Sequence, residues 1–270
     1  MDVFDANSYD RKNTFCTLFL SLLPFFASVA IYFYLWIPDS ETTFLAAAVK
    51  SAPVISLALM VLYYNGWKSL LGVAGGLLFS AGGDISLIWP NLFLPGMICF
   101  ALAHILYSVY FYFFYNSSHS KSCTGMYILY VVMWGIAIVA YVWLLPYIYK
   151  NSPNPSVFIP AVGVYELLIV SMATLAAHTQ NPWFMLGGMI FMVSDFTLAV
   201  QQFKAFEHLE YGRHIVMTTY YLAQLLIAVG DVKATLEEEK DGSCKCKNGT
   251  PFKIDEKWKT FIKARSCKIQ

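Results

Sequence analysis

Two aspartates, Asp84 and Asp195, stand deep inside apolar runs that are long enough to cross a bilayer. A carboxylate in hydrocarbon costs roughly 2.5–3.5 kcal/mol or more, so an ionisable residue in such a run is usually functional. Two carboxyl groups at one site can divide acid–base chemistry, because one donates a proton while the other accepts one. The alternative is that each aspartate is structural and pairs with Lys50 or a hydroxyl group. Since the aspartates recur at matched positions, we expect both to be functional.

The stretches that follow the two aspartates also correspond to each other. When they are aligned, Phe100 lies opposite Tyr220, and His104 lies opposite Gln224. Glycines precede both aspartates and would let a neighbouring helix or a ligand approach closely. The correspondence predicts a duplicated unit, with the two aspartates facing each other across a central pseudo-twofold axis.

Other polar side chains within the apolar runs are candidates to surround this site. The candidate substrate-binding residues are Lys50, Ser80, His104, Tyr107, Tyr165, Ser194, Tyr220, Tyr221 and Gln224. Helical spacing places His104 and Tyr107 on one helix face, and Tyr220 and Gln224 on another. These side chains could line a polar cavity or could form only interhelical hydrogen bonds. The buried charges Lys50 and Glu166 either pair with the aspartates and the histidine or reach water.

Other kinds of site are weaker interpretations. Asp84, Asp195 and His104 are residue types that bind divalent metals, but we expect a site without metal or cofactor. The six cysteines form no zinc-like pairs. The sequence has no Gly-x-Ser-x-Gly nucleophile motif either, so it gives no sign of an acyl-enzyme.

The composition indicates a polytopic membrane protein. Hydrophobic residues make up 58% of the chain and charged residues only 13%, and the apolar residues stand in long charge-poor runs. An ordinary soluble domain is less apolar and more charged. No basic and aromatic pattern suggests nucleic-acid binding. The expected fold is therefore all-α and embedded in a membrane.

The apolar runs predict eight transmembrane helices. Their residues are about 15–37, 44–64, 69–89, 92–115, 126–149, 157–177, 183–200 and 215–229. They form a membrane domain over residues 15–233 that contains two parallel four-helix repeats, residues 15–115 and 126–233. Residues 1–14 are a cytosolic leader, and residues 234–270 are a cytosolic tail for which we predict disorder.

Eight spans place both termini on the same side of the membrane. That face carries more lysine and arginine than the other, so the positive-inside rule predicts that both termini are cytosolic. A unit of four spans repeats in the same orientation, as in some transporters. Both aspartates should then lie at similar depth in the bilayer.

These residues lie in stretches that resemble the lysoplasmalogenase family, integral membrane proteins also called YhhN-like. The matching stretches are residues 76–89, 100–107, 163–165, 191–199 and 219–224. Lys50 with the following Pro53 is similar to the family's second-helix pattern. The likeness extends over about residues 15–233, and the motifs occur in the family's order.

The resemblance implies hydrolysis of the sn-1 vinyl ether of a lysoplasmalogen to a fatty aldehyde and glycerophosphocholine or glycerophosphoethanolamine. It also implies an endoplasmic-reticulum membrane, a lysophospholipid substrate drawn from membrane lipid, and catalysis by Asp84 and Asp195. Self-association is left open. A vinyl ether is cleaved by protonating its outer alkene carbon, after which water traps the oxocarbenium ion. An acid and a carboxylate supply these two roles.

The roles of the two aspartates are a weaker prediction. Ser194, Tyr220 and Tyr221 could donate hydrogen bonds to Asp195, which favours Asp195 as the base. His104 or Lys50 would then orient Asp84 or contact the head-group phosphate.

A proton-coupled transporter of small solutes or lipids is the competing interpretation. Parallel repeats, carboxylates near the membrane midplane and the charges Lys50 and Glu166 would suit such a carrier equally well. An enzyme would turn over in detergent without a gradient, whereas a carrier would give flux only across a sealed membrane.

Overall fold

A computed structural model describes residues 3–38, 41–117, 124–206 and 211–247 of the chain. Within these ranges the backbone forms eight α-helices and no β-strand. The helices are α1 (Val3–Leu35), α2 (Phe44–Asn65), α3 (Val73–Ser86), α4 (Phe93–Ser117), α5 (Thr124–Asn151), α6 (Pro155–His178), α7 (Pro182–Gln202) and α8 (Gly212–Lys247). Short 3-10 turns at Trp67–Leu71 and Pro90–Leu92 flank α3. The predicted all-α class is confirmed.

The outer surface of the bundle is apolar, as a lipid-facing surface must be. Leu20, Val131 and Val139 are 57%, 73% and 68% exposed, and many other large hydrophobic side chains are exposed in the same way. A soluble protein rarely leaves so much contiguous apolar surface in water. The prediction of a multi-pass membrane protein is therefore confirmed.

The third predicted span is shorter than the sequence suggested. In the described part of the chain, seven helices are long and apolar enough to cross a membrane, and α3 is not among them. Its 14 residues rise only about 21 Å, against a hydrocarbon core of about 30 Å. A 3-10 turn precedes α3, and the chain leaves the helix before Pro90, which disfavours helical conformation in the residue before it. The count of eight spans and the parallel repeat stay predictions.

Both ends of the predicted membrane domain are more helical than expected. Helix α1 begins at Val3, so the predicted leader is continuous with the first span. Helix α8 continues to Lys247, into the segment for which disorder was predicted. The rest of that tail lies outside the described residues. The contacts between Cα atoms divide the described residues into two units, one that ends at Val232 and one that begins at Lys233.

Glycines let α3 pack closely against α4. A methyl group on Gly76 would lie 2.2 Å from Cε1 of Tyr107, and one on Gly83 would lie 2.5 Å from Cε2 of Phe100. Both contacts are with aromatic rings inside the bundle, where a buried ring has little room to move. The glycines around Asp84 therefore set the distance between these two helices, as their spacing in the sequence suggested.

Gly76→Ala is expected to destabilise the fold because the Tyr107 ring must move away from α3. Overpacking of this kind typically costs about 1–3 kcal/mol. Gly82→Ala is the matched control, because a methyl group there would meet nothing nearer than Cys99 Sγ at 3.7 Å. Thermal unfolding of the purified protein in detergent should show a lower midpoint for Gly76→Ala alone. Equal midpoints for the two variants would contradict this account of the helix contact.

Candidate active site

Both aspartates line one cavity of about 440 Å³ at one end of the helical bundle. Its walls come from the carboxyl ends of α1, α3 and α7 and from the amino ends of α2, α4 and α8. The exposed residues Pro38, Glu41 and Lys204 at its rim connect it to the surface. The cavity is large enough to hold water together with a polar ligand. The two carboxyl groups predicted to act together therefore share one accessible space.

Asp84 is held by a phenol and an ammonium group. The hydroxyl of Tyr220 donates a hydrogen bond of 2.7 Å to Asp84 Oδ2. Lys50 Nζ lies 4.0 Å from Asp84 Oδ1, which is an ion pair across α2 and α3. Asp84 is only 2% exposed, so its carboxyl group reaches the cavity at a single face. Of the two alternatives left open for Lys50, pairing with an aspartate is the one observed.

Asp195 is held by a different pair of residues. The hydroxyl of Tyr165 donates a hydrogen bond to Asp195 Oδ2. His104 Nε2 lies 3.3 Å from the same oxygen and 3.0 Å from the Tyr165 hydroxyl. The histidine is fully buried, with its ring packed against Phe191 at 4.9 Å between centroids. Asp195, whose side chain is 10% exposed, is therefore fixed from behind by α4 and α6 and faces the cavity in front.

The three hydroxyl groups that were expected to donate hydrogen bonds to Asp195 donate to other acceptors instead. Ser194 donates to the Val216 carbonyl oxygen at 3.1 Å, and Tyr221 donates to the Lys50 carbonyl oxygen at 2.7 Å. Tyr220 donates to the other aspartate. Successive residues of a helix point about 100° apart, so a neighbour in sequence does not share the direction of Asp195. The alternative that His104 orients Asp84 is also wrong, because the histidine contacts Asp195.

Three of the candidate residues lie behind the cavity wall. Tyr107 and Gln224 are both fully buried, and the tyrosine donates a hydrogen bond of 2.7 Å to Gln224 Oε1. Ser80, one turn before Asp84, is also fully buried, and none of the three lines the cavity. Tyr220 shares the inner face of α8 with Gln224, and its ring meets Phe100 at 5.9 Å. This layer holds α4 and α8 together next to the aspartates.

A narrow apolar crevice of about 50 Å³ adjoins the cavity. It runs among α4, α5, α6 and α7, and its lining includes the polar residues Tyr165, Glu166 and Asp195. Asp195 lines both spaces, whereas Asp84 lines only the larger one. Two compartments of unlike size and polarity thus meet at one carboxyl group.

The rim of the cavity carries charged residues that were not among the candidates. Lys204, Arg213 and Glu41 line it there, and the Arg213 guanidinium lies 4.4 Å from the centre of the Trp36 ring. Their positions in the sequence are typical of charged residues at a membrane interface. A signal was present, because Arg213 stands at the amino end of a predicted span that was too short for a bilayer. An arginine in that extra turn faces the interior of the bundle.

Metal binding gains no support from the geometry of the side chains. Among the residues that the structure describes, no three histidine, cysteine, aspartate or glutamate side chains converge on one point. His104 and Asp195 form one pair, and Asp84 faces Lys50 instead of a further ligand.

Comparisons with known proteins agree on one family. The sequence model of the YhhN family matches residues 45–230, which include both aspartates. The chain is similar to "Lysoplasmalogenase TMEM86B" from Homo sapiens, with 35% identity over 219 residues that cover 79% of this chain and 87% of that protein. It is also similar to "Lysoplasmalogenase TMEM86A" from Bos taurus, with 33% identity over 230 residues, 79% of this chain and 89% of that protein. No solved structure matches the chain.

Proposed function

The chain belongs to the YhhN family, and from that premise we propose that it is a lysoplasmalogenase. The reaction is hydrolysis of the sn-1 vinyl ether of choline or ethanolamine lysoplasmalogens. The products are a fatty aldehyde and the corresponding glycerophospho-base. Relatives that bear the name lysoplasmalogenase are similar over most of their own length, which supports carrying the activity to this chain.

The observation that carries this proposal is the pair of carboxyl groups on one cavity. Asp84 and Asp195 reach the same space, but each has its own hydrogen-bond donors. Two carboxyl groups in unlike surroundings can hold different protonation states and so take different roles. A site for vinyl ether hydrolysis needs one acid and one base, and it needs no covalent nucleophile.

The chemistry balances without any group from outside the site except water. One aspartic acid gives its proton to the outer alkene carbon, and the substrate becomes an oxocarbenium ion. The other aspartate removes a proton from the water that attacks this ion, which gives a hemiacetal. The hemiacetal then returns its hydroxyl proton to the first aspartate, and the glycerol oxygen takes the proton held by the second. When the aldehyde and the glycerophospho-base have left, both aspartates are back in their starting protonation states.

The cationic residues of the cavity suit a phosphodiester. Lys50 lies deep in the cavity, and Lys204 and Arg213 lie towards the rim. An arginine or lysine that faces a phosphate forms charge-assisted hydrogen bonds. We therefore assign the glycerophospho head group to the larger cavity, with Arg213 and Lys204 as its partners.

The proposed setting is an endoplasmic-reticulum membrane with cytosolic termini. It rests on the family resemblance and on the excess of positive charge at the terminal face. The cavity lies at the carboxyl end of α1, so it would open on the lumenal side in this orientation.

Aldehyde release by the purified protein in detergent micelles tests the proposed function. With a lysoplasmalogen in D₂O, the aldehyde should carry one deuterium on the carbon next to its carbonyl group, because that carbon receives the proton. The saturated 1-alkyl analogue should give no product, because it has no alkene to protonate.

The controls separate this reaction from other lipid chemistry. A 1-acyl lysophospholipid should stay intact, since ester cleavage needs a different mechanism. Absence of aldehyde from the wild-type protein would contradict the proposal. Substrate flux into sealed vesicles without aldehyde would then favour the transporter interpretation.

A further inference from the structure

The narrow crevice and the large cavity adjoin each other and share part of their walls. The residues that line both are Leu87, Phe93, Phe100, Asp195 and Leu198. Of the two carboxyl groups, Asp195 therefore borders both spaces. A ligand that reacts at Asp195 has an apolar space on one side and a polar space on the other.

We propose that this crevice binds the proximal carbons of the 1-alkenyl chain while the head group occupies the larger cavity. The inference rests on the proposed function and adds the direction in which the substrate lies. It makes the crevice the subsite that selects a straight, single hydrocarbon chain.

The lining of the crevice fits a hydrocarbon chain. Away from Asp195 its walls are mainly aliphatic, with Met97, Ala140, Leu144, Ile169 and Met192 among them. The hydroxyl of Tyr141, another lining residue, donates a hydrogen bond of 3.0 Å to the Ile159 carbonyl oxygen. Burial of a chain against these apolar side chains removes apolar surface from water.

The two volumes assign the two ends of the substrate. At about 50 Å³ the crevice is too small for a hydrated phosphodiester, whereas the cavity of about 440 Å³ is large enough for one. The cavity also carries the cations Lys50, Lys204 and Arg213. The opposite orientation would bury a phosphodiester between Ile169 and Met192 and leave those cations facing hydrocarbon.

This orientation assigns a role to each aspartate. The outer alkene carbon of a vinyl ether is the one that bears the chain, so it lies at the mouth of the crevice, beside Asp195. The inner carbon, which water attacks, lies towards the larger cavity and Asp84. Asp195 is then the acid that protonates carbon, and Asp84 is the base that activates water. This reverses the roles expected from the sequence.

Ala140→Trp tests the crevice by filling it. Ala140 lines the crevice but not the larger cavity. We expect kcat/KM for a long straight-chain lysoplasmalogen to fall at least about tenfold, as is usual when a hydrophobic pocket no longer fits its substrate. Activity on a 1-ethenyl substrate, which has no carbon beyond the vinyl group, should be retained. The matched control is Val139→Trp, where the neighbouring side chain is 68% exposed on the outside of the same helix.

A second variant covers the case in which Ala140→Trp does not fold. Met192→Ala widens the crevice and should raise the relative kcat/KM for a chain with a methyl branch next to the vinyl group. Competitive inhibition by the saturated 1-alkyl analogue supplies a binding readout, and it should weaken in Ala140→Trp alone. An equal loss on the 1-ethenyl and the long-chain substrates, or unchanged chain selectivity in both variants, would overturn the assignment of the crevice. If the wild-type protein releases no aldehyde, the proposed function fails instead.

Discussion

Asp195→Asn is expected to lower kcat for aldehyde release by about 10²- to 10⁴-fold, the usual contribution of a positioned general acid or base. The amide occupies the same volume but has no proton acidic enough to transfer to carbon. Tyr165 and His104, which contact Asp195 Oδ2, can still hold the amide oxygen, so the shape of the site should persist. The loss should appear in kcat, with binding of the 1-alkyl analogue largely unchanged. The measurement that checks this is the rate of aldehyde release per folded protein molecule in the variant and in the wild type.

Asp231→Asn is the matched control for this substitution. Asp231 is also an aspartate buried in the bundle, at 2% exposure, but it lines neither the cavity nor the crevice. The Asp231→Asn variant should release aldehyde at a rate per folded molecule within a few-fold of the wild-type rate. Full activity of Asp195→Asn, or an equal loss in both variants, would remove Asp195 from the mechanism.

Asp84→Asn should lower kcat by a similar factor, about 10²- to 10⁴-fold, because an amide cannot accept a proton from the attacking water. This substitution also has a structural consequence that the first one lacks. It leaves the ammonium group of Lys50, 15% exposed, without the carboxylate that lies 4.0 Å away. Removal of one partner from a largely buried ion pair is strongly destabilising. We therefore expect a lower thermal midpoint for Asp84→Asn than for Asp195→Asn.

The double variant Lys50→Met with Asp84→Asn separates the two effects. Lys50→Met removes the buried ammonium group that has lost the Asp84 carboxylate, so the thermal midpoint should rise towards that of the wild type. Activity should stay low, because the base is still missing. Recovery of aldehyde release together with stability would mean that Asp84 serves only to balance Lys50.

Sequence alone determined the class of the protein and the identity of its two central residues. The apolar runs fix a membrane-embedded helical fold, because a backbone in hydrocarbon must satisfy its own hydrogen bonds. Asp84 and Asp195 could be selected because a carboxyl group inside such a run is costly to keep. The glycines beside Asp84 indicated close helix contacts, and Gly76 and Gly83 do lie against aromatic rings of α4.

The sequence could not determine where the helices end or what surrounds each carboxyl group. Helix α3 ends early because of the turns at both its ends, which hydropathy does not register. The hydrogen-bond partners of Asp195 are His104 on α4 and Tyr165 on α6, which lie 91 and 30 residues away along the chain. Such pairings depend on the rotation of each helix about its axis, and a rotation is set by packing against several neighbours at once.

The division of the site into two compartments was likewise decided only by the tertiary structure. Ala140 and Met192 are ordinary apolar residues of two spans, and nothing in their local sequence marks them as neighbours of Asp195. In the sequence Arg213 resembles an interface charge, but in the structure it lines the cavity. The sequence thus supplies the chemistry, since side-chain types are fixed along the chain. Only the packing of α4, α5, α6 and α7 decides which side of Asp195 faces the apolar crevice and which side faces the polar cavity.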